Sequence, residues 1–183
     1  MKKILLIEDN QQHATRTEEI LMKLKKMYRV KSYSSLFIEQ NGQNRNSEYE
    51  KICNYIKSEL YNNSFDILMI DMLLGGDSAD DPLGLQIIKD METELSNKYI
   101  IVYTEMSADE LNLIKTYNNT INRRLKIVTK PDLQVLTNKD SCAGQARKEF
   151  LHQKNIICEK DEKCTCEEKF LCSMTAIYYE LED

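Results

Sequence analysis

Five polar residues in this chain sit where their side chains could do chemistry together: Glu8 and Asp9, Asp71, Thr104 and Lys130. They stand at or just beyond the ends of four short apolar runs, Ile4 to Ile7, Phe65 to Ile70, Tyr99 to Tyr103 and Leu125 to Val128. If those runs are strands of one open parallel sheet, their carboxyl ends line the crevice where such sheets bind ligands. Three carboxylates gathered there repel one another unless a cation joins them. A hard divalent ion such as Mg2+ suits oxygen ligands and keeps some of its waters. Asp71, held in that setting, can attack a phosphoryl donor and form an acyl phosphate. The remaining work is charge neutralisation and positioning, with the Lys130 ammonium and the Thr104 hydroxyl directed at phosphoryl oxygens.

The elements that must position these groups are legible in the same way. The four runs are short and rich in β-branched residues, as in strands buried on both faces. A fifth candidate, Arg29 to Tyr33, alternates polar and apolar residues and suits a sheet edge. Between them lie helical patterns. Residues 11 to 27 bring Thr17, Ile20, Leu21, Leu24 and Met27 near one face, and Glu48 to Leu60 does so with Tyr49, Ile52, Cys53, Ile56 and Leu60. Leu83 to Leu95 carries Leu85, Ile88, Met91 and Leu95, and Ser107 with Asp109 and Glu110 opens a further helix bearing Leu111, Ile114 and Tyr117. Strand and helix thus alternate to about residue 130, which predicts an α/β fold with a doubly wound parallel sheet. Residues 36 to 47 read as a polar loop. Residues 133 to 183 read as a tail with helices near 144 to 156 and 167 to 182. The stripe Phe170, Leu171, Met174, Ile177, Tyr178 and Leu181 predicts packing on the domain or on a second copy of it.

Composition narrows the classes. The 183 residues, 42% hydrophobic and 30% charged, suit one soluble domain with a small appendage. A net charge of -5 argues against nucleic acid as the main partner, because phosphate backbones need a concentrated basic face. Lys2 and Lys3 precede only four apolar residues before Glu8, too few for a signal peptide. No stretch reaches the ~18 apolar residues of a membrane span. The expectation is a cytoplasmic protein with no membrane contact.

Five of the 6 Cys follow residue 140. Cys158, Cys164, Cys166 and Cys172, with His152 and Cys142 upstream, could hold Zn2+ through four thiolates, but paired C-x2-C knuckles are lacking and free thiols are favoured. His13 reads as a surface residue. Thr129 to Asp132 matches the T-K-x-D pattern of guanine recognition, yet the chain has no phosphate loop to accompany it. Asp71-Met72-Leu73 lacks the Asp-x-Asp that a topoisomerase-primase nuclease site requires.

The strings KKILLIEDN, DILMIDMLLGG, IIVYTEMS and KIVTKP occur in this order, with Gly84 between the second and third. Together they resemble the receiver domain of two-component response regulators over residues 2 to 132. The resemblance implies a five-stranded parallel sheet of flavodoxin-like order 2-1-3-4-5. It also implies a receiver core at 1 to 132 and a helical, Cys-bearing extension at 133 to 183, within which the last receiver helix could fall. Asp71 would be the phosphoacceptor. Asp9 would bind Mg2+ directly, Glu8 directly or through water, and the backbone carbonyl of Leu73 would add a ligand. Thr104 would bind the phosphoryl group and move inward, Lys130 would pair with its oxygens, and Pro131 would fix the following turn.

The implied function is phosphorelay signalling, with a histidine kinase or phosphotransfer protein as donor and altered partner binding as output. Chemistry would be limited to self-phosphorylation and self-dephosphorylation. Three departures stand beside this reading. Glu105 occupies a position that is usually small, Ile127 replaces the usual Tyr or Phe, and the loop after Asp71 carries Asp77, Asp80 and Asp81. They leave a second reading open, a degenerate receiver acting as a phosphorylation-independent interaction module. The tail shows no recognition-helix pattern, so no direct DNA binding is expected, and a zinc-stabilised homodimer through the tail is a further arrangement.

Overall fold

A computed structural model describes residues 1 to 34, 45 to 74, 82 to 104, 125 to 130 and 166 to 182. Its strands are β1 (Lys2–Ile7), β2 (Tyr28–Tyr33), β3 (Ile67–Asp71), β4 (Tyr99–Thr104) and β5 (Leu125–Thr129). Its helices are α1 (Gln11–Leu21, followed by a 3-10 turn at Met22–Leu24), α2 (Arg45–Tyr61), α3 (Leu83–Asp90) and α4 (Cys166–Glu180). The strands form one sheet in the order β2-β1-β3-β4-β5. All four pairings are parallel, which is the flavodoxin-like order expected from the sequence. β2 lies at an edge, as its alternating pattern requires.

Strand alternation divides the core in two. Ile4, Leu6, Met69, Ile101, Tyr103 and Val128 face α1 and α4, where they meet Ile20, Leu21, Phe170, Met174 and Ile177. Leu5, Ile7, Leu68, Ile70, Ile100 and Val102 face α2 and α3, where they meet Ile52, Ile56, Leu85 and Ile88. Both faces are therefore covered, and the central strands carry unbroken apolar runs for that reason.

The stripe on α4 is used on the chain's own sheet. Phe170, Met174 and Ile177 are buried there, and full burial of such side chains stabilises by roughly 1.5–3 kcal/mol each. The Tyr28 hydroxyl donates to the carbonyl of Met174 at 2.5 Å, and Lys2 Nζ donates to the carbonyl of Leu181 at 3.1 Å.

Three helix boundaries differ from the sequence expectation by several residues. α1 ends at Leu21 rather than near residue 27, because Met27 must turn to accept the Lys2 backbone N–H at 2.8 Å and so start β2 beside β1. Leu24 and Met27 still pack on the core through that turn. α2 begins at Arg45, inside the segment read as loop. α3 stops at Asp90, and Met91 and Leu95 reach the core from successive turns that lower the chain into β4. The expected helices at 107 and at 144 to 156 and most of the 36 to 47 loop lie outside the described residues. No described helix is long and apolar enough to cross a membrane.

Candidate functional site

At the carboxyl end of β1 the chain continues in strand parity, so Glu8 turns to the α1–α4 side and is fully buried. Two bonds fix it there. Its backbone N–H donates to the Tyr33 carbonyl at 3.4 Å, and its Oε1 accepts the Asn10 N–H at 3.1 Å. Asn10 then caps α1, its side chain accepting from the backbone N–H groups of Gln12 at 2.9 Å and His13 at 3.2 Å. Asp9, between them, is half-buried at the rim.

Asp71 closes β3 and is only 4% exposed. Its Oδ1 accepts the Leu73 backbone N–H at 3.2 Å, and its Oδ2 accepts Lys130 Nζ at 2.7 Å. Lys130 is placed by the β4–β5 ladder, since its backbone N–H donates to the Thr104 carbonyl at 2.8 Å. The same ammonium lies 2.9 Å from Glu8 Oε2. One cation thus spans the ends of β1 and β3. Ligand oxygens of Glu8, Asp9 and Asp71 all lie within 4.8 Å of one another.

The electrostatics of this group are unbalanced. Burial, and then the Asp71 charge, push the Glu8 carboxyl up from 4.5 to about 8 despite the opposing pull of Lys130. Burial also raises the Asp71 carboxyl, outweighing Lys130, while the Asp9 charge adds to the rise. Burial alone would lower the Lys130 ammonium, but Asp71 and Glu8 hold it above its ordinary value. Lys130 Nζ is paired with both Glu8 and Asp71, and Asp9 offers its carboxylate beside them, so a further positive charge is favoured. The oxygen-only donor set fits a hard divalent ion of the Mg2+ type. Among the described residues, Glu8, Asp9 and Asp71 are the group with the donor types and proximity to hold a metal.

The remaining sequence candidates fall out as follows. Thr104 is buried at the end of β4, paired in register with Thr129, and strand parity places it with Val102 toward α2 and α3. Leu73 is half-buried in the turn after Asp71. Ile127 packs against the α2–α3 core. Cys158, Cys164, Pro131, Glu105 and the acidic residues 77, 80 and 81 lie outside the described residues, and the Cys166 and Cys172 side chains are likewise not described. Among the described residues nothing supports zinc. His13 is not the surface residue expected. The Asn10 cap folds the first turn of α1 over the strand end, leaving His13 half-buried with Nδ1 4.0 Å from Glu8 Oε1.

One contributor escaped the sequence reading. Tyr103 is buried beneath the cluster, its ring centre 5.3 Å from Lys130 Nζ. The signal was present in register: Tyr103 is the β4 partner of Asp71, and parallel partners share a face.

The fold and site define the class as a flavodoxin-like α/β domain with an acidic cluster at the ends of β1 and β3. No protein-family model matches the sequence, and no curated protein matches it. Solved structures similar to it include response-regulator receiver domains. The chemotaxis protein CheY4 of Vibrio cholerae is 13% identical over 84% of this chain and 98% of that one, with a TM-score of 0.47. The N-terminal domain of a response regulator receiver protein from Methanoculleus marisnigri is 13% identical over 83% and 95%, with a TM-score of 0.44. A chain in the Saccharomyces cerevisiae co-crystal of the histidine phosphotransfer protein Ypd1 and the receiver domain of Ssk1 is 16% identical over 80% and 90%, with a TM-score of 0.45.

Proposed function

We propose that this chain is a phosphorelay receiver in which Asp71 accepts a phosphoryl group with the help of Mg2+. The observation that carries the reading is the placement of Lys130 Nζ, 2.7 Å from Asp71 Oδ2 and 2.9 Å from Glu8 Oε2, within a buried acidic cluster. Glu8, Asp9, Asp71 and the Leu73 carbonyl would hold the ion, which when bound offsets the charge of the incoming phosphoryl oxygens. An Asp71 carboxylate oxygen forms a bond to phosphorus while the bond from phosphorus to the donor's imidazole nitrogen breaks. The imidazole leaves with that electron pair. Lys130 exchanges its carboxylate partner for a phosphoryl oxygen, and the Thr104 hydroxyl takes another. The donor is a phosphohistidine of a kinase or phosphotransfer protein in the cytoplasm. The output is a changed surface for a protein partner, with no turnover beyond the domain's own phosphorylation and dephosphorylation.

A second reading is favoured by one feature. Asp71 is buried and its Oδ2 already holds Lys130 Nζ at 2.7 Å, a contact made without a phosphoryl group that suits a constitutive interaction module. Intact-mass analysis after incubation with Mg2+ and acetyl phosphate separates the two. A Mg2+-dependent phosphoryl adduct, lost in Asp71→Asn, supports the receiver. Folded protein that takes no label supports the module.

A further inference from the structure

Tyr103 is tied to three elements at once. Its ring faces Lys130 Nζ at 5.3 Å, inside the range over which an aromatic quadrupole attracts a cation. Its hydroxyl is hydrogen-bonded to Thr17 Oγ1 of α1, and its ring meets Phe170 of α4 edge to face, with centres 6.3 Å apart and planes at 70°. Tyr103, Thr17 and Phe170 are all buried, so the ring cannot swing without breaking the hydroxyl bond and opening the core. The position three residues before Lys130 is aliphatic Ile127, and it lies on the opposite face, against α2 and α3. The aromatic ring that meets the charged cluster is therefore on the α1–α4 side.

We propose that Tyr103 is the positioning residue for Lys130 and the link through which occupancy of Asp71 reaches α4. The second half rests on the reading of Asp71 as phosphoacceptor. When Lys130 follows its partner oxygen outward, the cation moves relative to the Tyr103 ring, and the ring transmits the change to Phe170. Linkage is reciprocal, so a partner that engages α4 alters how readily Asp71 is modified.

The test uses the full chain and has two arms. The first needs no phosphoryl chemistry. The ring current of Tyr103 should displace the Lys130 ε-methylene resonances; Tyr103→Phe should keep that displacement and Tyr103→Leu should abolish it. The second measures hydrogen exchange across 166 to 180 with and without Mg2+ and beryllofluoride, together with labelling by acetyl phosphate. Wild type should change its protection in α4, while Tyr103→Leu should lose the change and label about tenfold more slowly. Should Tyr103→Leu not fold, Thr17→Val removes the Thr17 bond to the hydroxyl while retaining the ring, and it should weaken the α4 response. Unmoved Lys130 resonances in Tyr103→Leu, or in its absence in Thr17→Val, overturn the positioning role, and an undiminished α4 response in either variant overturns the link. A wild-type adduct that leaves α4 unchanged overturns the link. A wild type that takes no adduct overturns the phosphoacceptor reading and the link with it, and the first arm still decides the positioning role.

Discussion

Gly84 approaches Asp71 so closely that a Cβ on it would lie 1.9 Å from the Asp71 carbonyl oxygen. The contact is with backbone, which cannot rotate away, and the Gly84 N–H donates to the neighbouring Met72 carbonyl at 3.1 Å. Glycine here lets the first turn of α3 lie against the end of β3. Gly84→Ala is expected to destabilise the domain by roughly 1–3 kcal/mol and to slow labelling of Asp71, although residue 84 is not among the groups proposed to hold the ligand. Denaturant midpoints and acetyl phosphate labelling check both parts. An unchanged midpoint would mean that the helix start yields without disturbing Asp71.

Lys130→Met removes the ammonium that spans Glu8 and Asp71 while keeping most of the side-chain volume. Breaking a buried pair in this way costs about 3 kcal/mol, because the partner carboxylates stay behind. Mg2+ should therefore raise the melting temperature of Lys130→Met more than that of wild type. Melting curves at neutral pH with and without Mg2+ read the difference directly, and equal Mg2+ shifts would sink the account.

The Glu8 carboxyl sets a pH dependence. Its folded value, about 8, lies above the ordinary 4.5, so the folded protein binds this proton more tightly than the unfolded chain does. The associated stability is fully present below pH 4.5 and is lost as pH rises toward 8 in metal-free protein. Mg2+ competes with the same proton, so its affinity should increase over that interval and its binding should release a proton. Calorimetry in buffers of different ionisation enthalpy measures the release. Glu8→Gln should reduce it, and a release identical to wild type would assign the proton elsewhere.

The last helix belongs to the core energetically. Met174 is fully buried between α4 and the sheet, and Met174→Ala is expected to cost about 3 kcal/mol. Tyr179, 59% exposed further along the same helix, should change stability by less than about 0.5 kcal/mol when replaced by Ala. Urea unfolding of the two variants side by side makes the comparison. Similar small effects would show that α4 is held loosely.

The sheet and its polar rim were legible because each central strand is an apolar run with an ionisable or hydroxyl residue at its end. Period-two alternation likewise marked β2 as an edge. Helix ends were harder. Leu24 and Met27 keep helical spacing past Leu21, and only the tertiary demand that Met27 pair with Lys2 stops the helix. The stripe on α4 announced burial but not its partner, since an apolar face fits its own sheet or another copy equally well. The sequence placed Lys130 at the site but not between Glu8 and Asp71, because that position depends on how far a flexible side chain reaches. Tyr103 went unread because an aromatic residue in a strand is ordinarily core, and only strand register sets it beside Asp71.

The wide separation of α4 from β1 along the chain has a kinetic consequence. Ile4 and Leu6 are made long before α4, yet the face they share with α1 is completed by Phe170, Met174 and Ile177. A nascent chain cannot finish that face until synthesis has passed residue 177. Until then the part of that face that α1 leaves to α4 stays open to water and to neighbouring chains. Contacts of such long sequence separation also slow folding after release. A ribosome that stalls late in this message would therefore deliver a sheet closed on the α2–α3 side and adhesive on the other, a natural substrate for a chaperone.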